Sequence, residues 1–153
     1  MDHDAGRGSI RTLLVAVRDL ARSVEFYRDV FDVEILLHED QLAVLGGQSA
    51  HSHRFVLRQT GSNATRHGQQ ELGIRGLVLD VGSTAELSRV EARLRAHGLF
   101  RDRRHLPEEE AWELVHGHDP DALPLVFVAS DAVGELPPEH YRHVASLMYS
   151  LDM

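Results

Sequence analysis

Val15-Ala16-Val17-Arg18-Asp19-Leu20-Ala21-Arg22-Ser23-Val24-Glu25-Phe26-Tyr27-Arg28-Asp29-Val30-Phe31 is the stretch on which the fold turns. It contains the end of an extended run and the whole of a helix. The run over 10–17 is rich in β-branched and aliphatic residues and stops at Arg18-Asp19. Asp19 is a good N-cap, because its carboxylate can accept from the free amides of a first helical turn. Beyond it, Leu20, Val24, Tyr27 and Phe31 recur at spacings of four, three and four, the apolar stripe of a helix lying on a sheet. Three shorter extended runs follow, at 33–37, 42–45 and 55–57.

Working outward, the second half repeats this plan. Leu77-Val78-Leu79-Asp80-Val81 is the strand, and Ser83 with Glu86 forms a capping-box pattern. Leu87, Val90 and Leu94 make the stripe, and Gly98 suits the left-handed residue that ends a helix. Extended runs are expected near 99–100, at 112–115 and at 125–128. Between the halves, 60–72 is polar and poor in apolar anchors, as a connector would be. The spacing therefore predicts two βαβββ units, at about 10–60 and 73–130, within one α+β domain. A tail helix is expected over about 138–151, behind Pro137-Pro138. Two such units side by side are expected to form a mixed-sheet open barrel with a shared cavity, a default place for a small ligand.

Composition removes several function classes. The formal charge of −8 is the wrong sign for a nucleic-acid binder, which replaces counterions on phosphate with basic side chains. Arg101, Arg103 and Arg104 are the one tight basic cluster, and Glu108-Glu109-Glu110 follow it as a solvated acidic run. There is no cysteine, hence no disulfide, thiol nucleophile or thiolate metal site. All 16 basic residues are Arg, which excludes Schiff-base chemistry on lysine. No apolar run is long enough to span a bilayer and no secretory h-region opens the chain, so the expectation is a cytoplasmic protein without membrane contact. A G-x-S-x-G elbow and a glycine-rich phosphate loop are both missing.

The opening stretch resembles the glyoxalase/bleomycin-resistance/extradiol-dioxygenase superfamily, the vicinal oxygen chelate proteins. There a strand ending V-x-D-L leads into S-x-x-F-Y, and Val17, Asp19, Leu20, Ser23, Phe26, Tyr27 and Phe31 fill those places. Asp119-Pro120-Asp121 resembles the family's D-P-x-G turn, with Ala122 where glycine is usual. The resemblance implies one metal ligand from the first and one from the last strand of each unit. Those positions hold Thr12, Val56, Gly76 and Val126. A divalent cation needs imidazole or anionic oxygen donors, so no metal and no cofactor are expected.

Strand alternation puts Thr12, Leu14 and Ala16 on the ligand face, with Arg54, Val56 and Arg58, and with Gly76, Val78 and Asp80 in the second unit. Arg54, Arg58 and Asp80 are thus candidate polar contacts, or else an Arg–Asp pair in the sheet wall. His116 and His118 stand at i, i+2 and can share a metal, but no third ligand has a convincing spacing. His51 and His53 read as polar-turn residues. Trp112 is either core or a stacking surface for an aromatic ligand.

The leading expectation is metal-independent binding of an aromatic or apolar small molecule, such as antibiotic or natural-product sequestration. Its candidate contacts are Trp112, Phe55, Arg54, Arg58, Asp80, Leu14 and His116. The alternatives are a lyase, isomerase or dioxygenase with a rearranged site or no metal, and a non-catalytic interaction protein with a filled cavity. A homodimer is expected, with the tail helix residues Tyr141, Val144, Leu147, Met148 and Leu151 facing a partner subunit.

Overall fold

In the first half, a strand, β1 (Thr12–Val17), leads into a helix, α1 (Leu20–Phe31), followed by β2 (Glu34–His38), β3 (Leu42–Gly46) and β4 (Arg54–Gln59). In this computed structural model the residues described are 10–47, 54–61, 74, 76–106, 109–129 and 144–146. The second half runs β5 (Leu77–Asp80), α2 (Thr84–Ala96), β6 (Phe100–Leu106), β7 (Glu109–His118) and β8 (Pro124–Val128). The chain divides into two units, Met1–Ala64 and Thr65–Met153. Each is an α+β βαβββ unit with one four-stranded mixed sheet, ordered β1-β4-β3-β2 and β5-β8-β7-β6. In both, the first strand runs parallel to the last and the remaining pairs are antiparallel.

The helices form where the sequence predicts them. The Asp19 carboxylate accepts from the Arg22 amide at 3.2 Å, and the Ser83 hydroxyl accepts from the Glu86 amide at 3.1 Å. Asp32 (φ 53°) and Gly98 (φ 73°) end the two helices in the left-handed region. The following residues, Val33 and Leu99, donate back to the Arg28 and Leu94 carbonyls, so orphaned carbonyls of the last turn are satisfied. The Leu20 amide donates to the Gln59 side chain at 2.9 Å, tying the start of α1 to the end of β4.

Helix α1 buries Leu20, Val24, Phe26, Tyr27 and Val30. The sheet answers with Val17, Ala43, Leu45, Phe55 and Leu57. Phe55 lies in this core, its ring 5.2 Å from Tyr27 and 4.7 Å from Phe31. Each such buried side chain contributes roughly 1.5–3 kcal/mol of transfer free energy. In the second unit Leu87, Val90 and Leu94 pack from α2, and Val115, Leu125 and Phe127 are buried in the sheet. Gly117 lies where a Cβ would stand 2.7 Å from the Leu99 carbonyl oxygen, so only glycine lets the strand approach this closely.

Strands β6 and β7 are longer than the apolar runs near 99–100 and 112–115 predict, reaching Leu106 and starting at Glu109. At the centre of β6, Arg103 is paired with other elements rather than solvated. Arg103 donates to Ser88 and Glu91 of α2, each at 3.1 Å, and to Glu113 of β7 at 2.5 Å. Its pKa is raised, first by the Glu113 bond, while that of Glu91 is lowered, first by the bond from Arg95 and then by that from Arg103.

Most of the expected tail helix lies outside the described residues, although 144–146 are helical. His51, His53, Glu108 and most of the connector 60–72 also lie outside them. No helix among the described residues is long and apolar enough to cross a membrane.

Candidate functional site

Each sheet has one face under its helix and one face turned away from it. In the first unit the register sets Thr12 opposite Arg54, Leu14 opposite Val56 and Ala16 opposite Arg58. Val56 is in turn opposite Val44, and Val44 opposite Leu37. Alternation separates these residues from the buried Phe55, Leu57, Ala43 and Leu45 on the helix side. The result is an apolar row, Leu14–Val56–Val44–Leu37, across the face away from α1. Its ends are exposed, Leu14 at 68% and Leu37 at 44%, and Val56 and Val44 between them are half-buried. Arg54 and Arg58 stand one step to either side of Val56 on the same face of β4, and both are exposed. Neither makes an ion pair or side-chain hydrogen bond among the described residues.

The equivalent row in the second unit is chemically different. Val78 pairs with Val126, Val126 with His116, and His116 with Asp102. The next row holds Asp80, Val128, Leu114 and Arg104. Trp112, Leu114, Val126, Val128 and Val144 pack together as a buried cluster. Trp112 is 4% exposed within it. Val78 and Asp80 remain exposed. The Asp80 carboxylate accepts from the Gly82 amide at 2.8 Å, closing the turn that leads into α2.

His116 is 1% exposed, with Nδ1 3.6 Å from Oδ1 of Asp102. Neither ring nitrogen has a hydrogen-bond partner among the described residues, and neither does that Asp102 oxygen. The other Asp102 oxygen accepts from Arg104. Burial lowers the His116 pKa from its ordinary value. The nearby carboxylate opposes that shift, while Arg101, Arg104 and His118 reinforce it. His116 is therefore a neutral imidazole near pH 7. His118 has Nδ1 3.1 Å from the Asp119 carbonyl oxygen.

The seven candidate contacts thus fall into separate places. Leu14, Arg54 and Arg58 share the open face of the first sheet. Asp80 and His116 share a face of the second, and Trp112 lies in the apolar cluster there. Phe55 sits on the helix side of its sheet. Asp102 was not singled out from sequence. The available signal was alternation along β6, with Arg103 facing α2 and Asp102 and Arg104 opposite, but a bulge between Phe100 and Asp102 sets that phase.

The four positions of the expected metal site hold one hydroxyl, at Thr12, and no donor side chain at Val56, Gly76 or Val126. Among the described residues no three His, Asp or Glu side chains group as metal ligands. This donor set does not fit a divalent cation.

A family model described as glyoxalase/bleomycin resistance protein/dioxygenase superfamily matches residues 9–127. A glyoxylase/bleomycin resistance protein/dioxygenase domain from Frankia sp. EAN1pec is similar in structure, with a TM-score of 0.65 at 22% identity, covering 80% of this chain and 97% of that one. Lactoylglutathione lyase from Agrobacterium tumefaciens has a TM-score of 0.59 at 18% identity, over 83% of this chain and 97% of its own. The fosfomycin resistance protein FosX from Mesorhizobium loti has a TM-score of 0.57 at 18% identity, over 80% and 91%. At these identities the likeness is one of fold. No curated protein matches the chain significantly.

Proposed function

The chain belongs to the glyoxalase/bleomycin resistance protein/dioxygenase superfamily, and on that premise we propose that it binds a small organic molecule without a metal, as a sequestering protein would. The observation that carries this reading is the open face of the first sheet. An apolar row, Leu14–Val56–Val44–Leu37, exposed at both ends, lies beside two guanidinium groups that make no ion pair or side-chain hydrogen bond among the described residues. A flat apolar ligand buries area on such a row, at roughly 25 cal/mol per Å². A guanidinium adds a forked donor pair for a carboxylate, sulfonate or phosphonate. The ligand class is therefore an aromatic or apolar body with an anionic group. A lactoylglutathione lyase and a fosfomycin resistance protein among the structural relatives are in keeping with a small-molecule partner.

Within this reading Phe55 and Trp112 support the sheets from their cores, and direct contact falls to Leu14, Arg54 and Arg58. Asp80 keeps its turn. Anilinonaphthalene sulfonate, an aromatic body with an anionic group, is a suitable probe. Its fluorescence should rise saturably with the native protein. Arg54→Ala combined with Arg58→Ala should weaken binding about tenfold, the loss of one charge-assisted hydrogen bond's worth of free energy. If Leu14→Glu and the double arginine variant both leave the affinity unchanged, the open face is not the ligand surface. If Leu14→Glu instead changes the oligomeric state and no probe binds, the row is a protein interface and the binding reading fails.

A further inference from the structure

Arg54 and Arg58 belong to one strand and one face. Strand alternation turns both away from α1, with their backbones about 13 Å apart along β4. Midway between them stands Val56, half-buried, with Leu14 opposite it on β1 and Val44 opposite it on β3. The residues beside the two arginines are neutral. Arg54 has Thr12 and Gly46 across the sheet, and Arg58 has Ala16 and Leu42. An acid on this face, Glu34, is opposite Gly46 and so lies two strands from Arg54. Carboxylates are not scarce in this chain, which has 24 Asp and Glu against 16 Arg. Arg28, Arg89, Arg95, Arg103 and Arg104 each reach one. Arg54 and Arg58 instead present two exposed cations with an apolar patch between them and no ion pair among the described residues.

We propose that this face takes a dianion, an elongated aromatic or apolar body with an anionic group at each end. The body lies along β4 and crosses the apolar row at Val56, with one end at Arg54 and the other at Arg58. The inference rests on the small-molecule reading and narrows its ligand class from one anionic group to two. Each guanidinium offers a forked donor pair to a carboxylate, phosphonate or sulfonate. A ligand charged at one end leaves the second guanidinium without a counter-charge. One charged at both ends neutralises the two like charges and buries its middle on Leu14, Val56 and Val44. A cation does not fit, since it meets two charges of its own sign.

Two probes test this by calorimetric titration into the full-length native chain: biphenyl with a carboxylate at each para end, and biphenyl with a carboxylate at one. The dianion should bind about fivefold tighter at low salt, and most of that advantage should disappear at high salt. Arg54→Gln or Arg58→Gln alone, with the fold intact by circular dichroism, should bring the dianion to about the monoanion's affinity. Either variant should cost the monoanion no more than about twofold, because it still finds one guanidinium. A merely structural role would weaken both acids alike. Arg22→Gln, which removes the same charge from an exposed position on α1, should leave both affinities unchanged. Equal affinity of the two acids for the native chain overturns the inference, and so does a single arginine variant that weakens both equally. Anilinonaphthalene sulfonate, with its one anionic group, reports the broader reading separately. If it binds and the double arginine variant weakens it while the dianion shows no advantage, the small-molecule reading stands and the two-ended ligand fails. If none of the three probes binds, both fail, and a change of oligomeric state in Leu14→Glu then identifies the face as a contact between copies of the chain.

Discussion

His116 occupies in the second sheet the position that Val44 occupies in the first. Val44 pairs with Val56 and Leu37, and His116 pairs with Val126 and Asp102, each beside a bulge in the neighbouring edge strand. One repeated backbone plan thus carries an aliphatic row in one unit and a histidine–carboxylate couple in the other. The duplication supplies the scaffold, and the substitutions within the row supply the chemical difference.

The first prediction concerns pH. Burial lowers the His116 pKa below its ordinary 6.5, so the unfolded chain binds that proton more readily than the folded one. Stability from this group is therefore full above about pH 6.5, falls as pH drops below that value, and levels off beneath the folded pKa. Urea unfolding at pH 7.5 and pH 5 should show a loss, and His116→Leu should make that loss smaller. An equal loss in both proteins would mean that His116 is not buried in the neutral form.

Gly117→Ala should destabilise the second unit by about 2 kcal/mol, through overpacking. The added Cβ would meet the Leu99 carbonyl oxygen at 2.7 Å and Leu94 Cδ1 at 3.0 Å, and the first of these is backbone. A thermal melt within a degree of the native one would show that α2 and β7 are not packed this closely.

Ala122 has φ of 70° in the turn after Asp119, a region costly for any side chain with a Cβ. The turn is held by the buried Asp119 carboxylate, which accepts from the Asp121 amide at 2.9 Å and the Leu123 amide at 2.8 Å. Ala122→Gly should therefore raise stability by about 0.5–1 kcal/mol, the relief of strain exceeding the added chain entropy. Asp119→Ala should lower it by roughly 2 kcal/mol or more, by leaving those amides unsatisfied. Chemical denaturation of both variants checks the pair, and opposite signs are the expected outcome.

The sequence made the helices and the repeat legible because local chemistry decides them. Asp19 and Ser83 are caps whatever the tertiary structure, and the stripes Leu20–Val24–Tyr27 and Leu87–Val90–Leu94 need only helical periodicity. Strand alternation likewise separated Leu14, Arg54 and Arg58 from Leu13 and Val15. It also separates Phe55 from Arg54, so the place of Phe55 under α1 was readable by parity. The length of β6 was not readable, since Arg103 at its centre is matched by Glu91, Ser88 and Glu113 from other elements. Asp102 beside His116 was hidden for the same reason. The pairing depends on a bulge and a register that exist only once β6 and β7 are together. Trp112 is buried in a cluster that includes Val144, 32 residues downstream in the chain.

Calorimetric titration of anilinonaphthalene sulfonate tests metal-independent binding most directly, using protein stripped of metal by chelation and then the same protein with added zinc, manganese or nickel. Saturable binding with the same affinity in both preparations is the result this account predicts, since Thr12, Val56, Gly76 and Val126 offer no adequate ligand set. Binding that appears only after a metal is added, accompanied by one tightly held ion per chain, would contradict it.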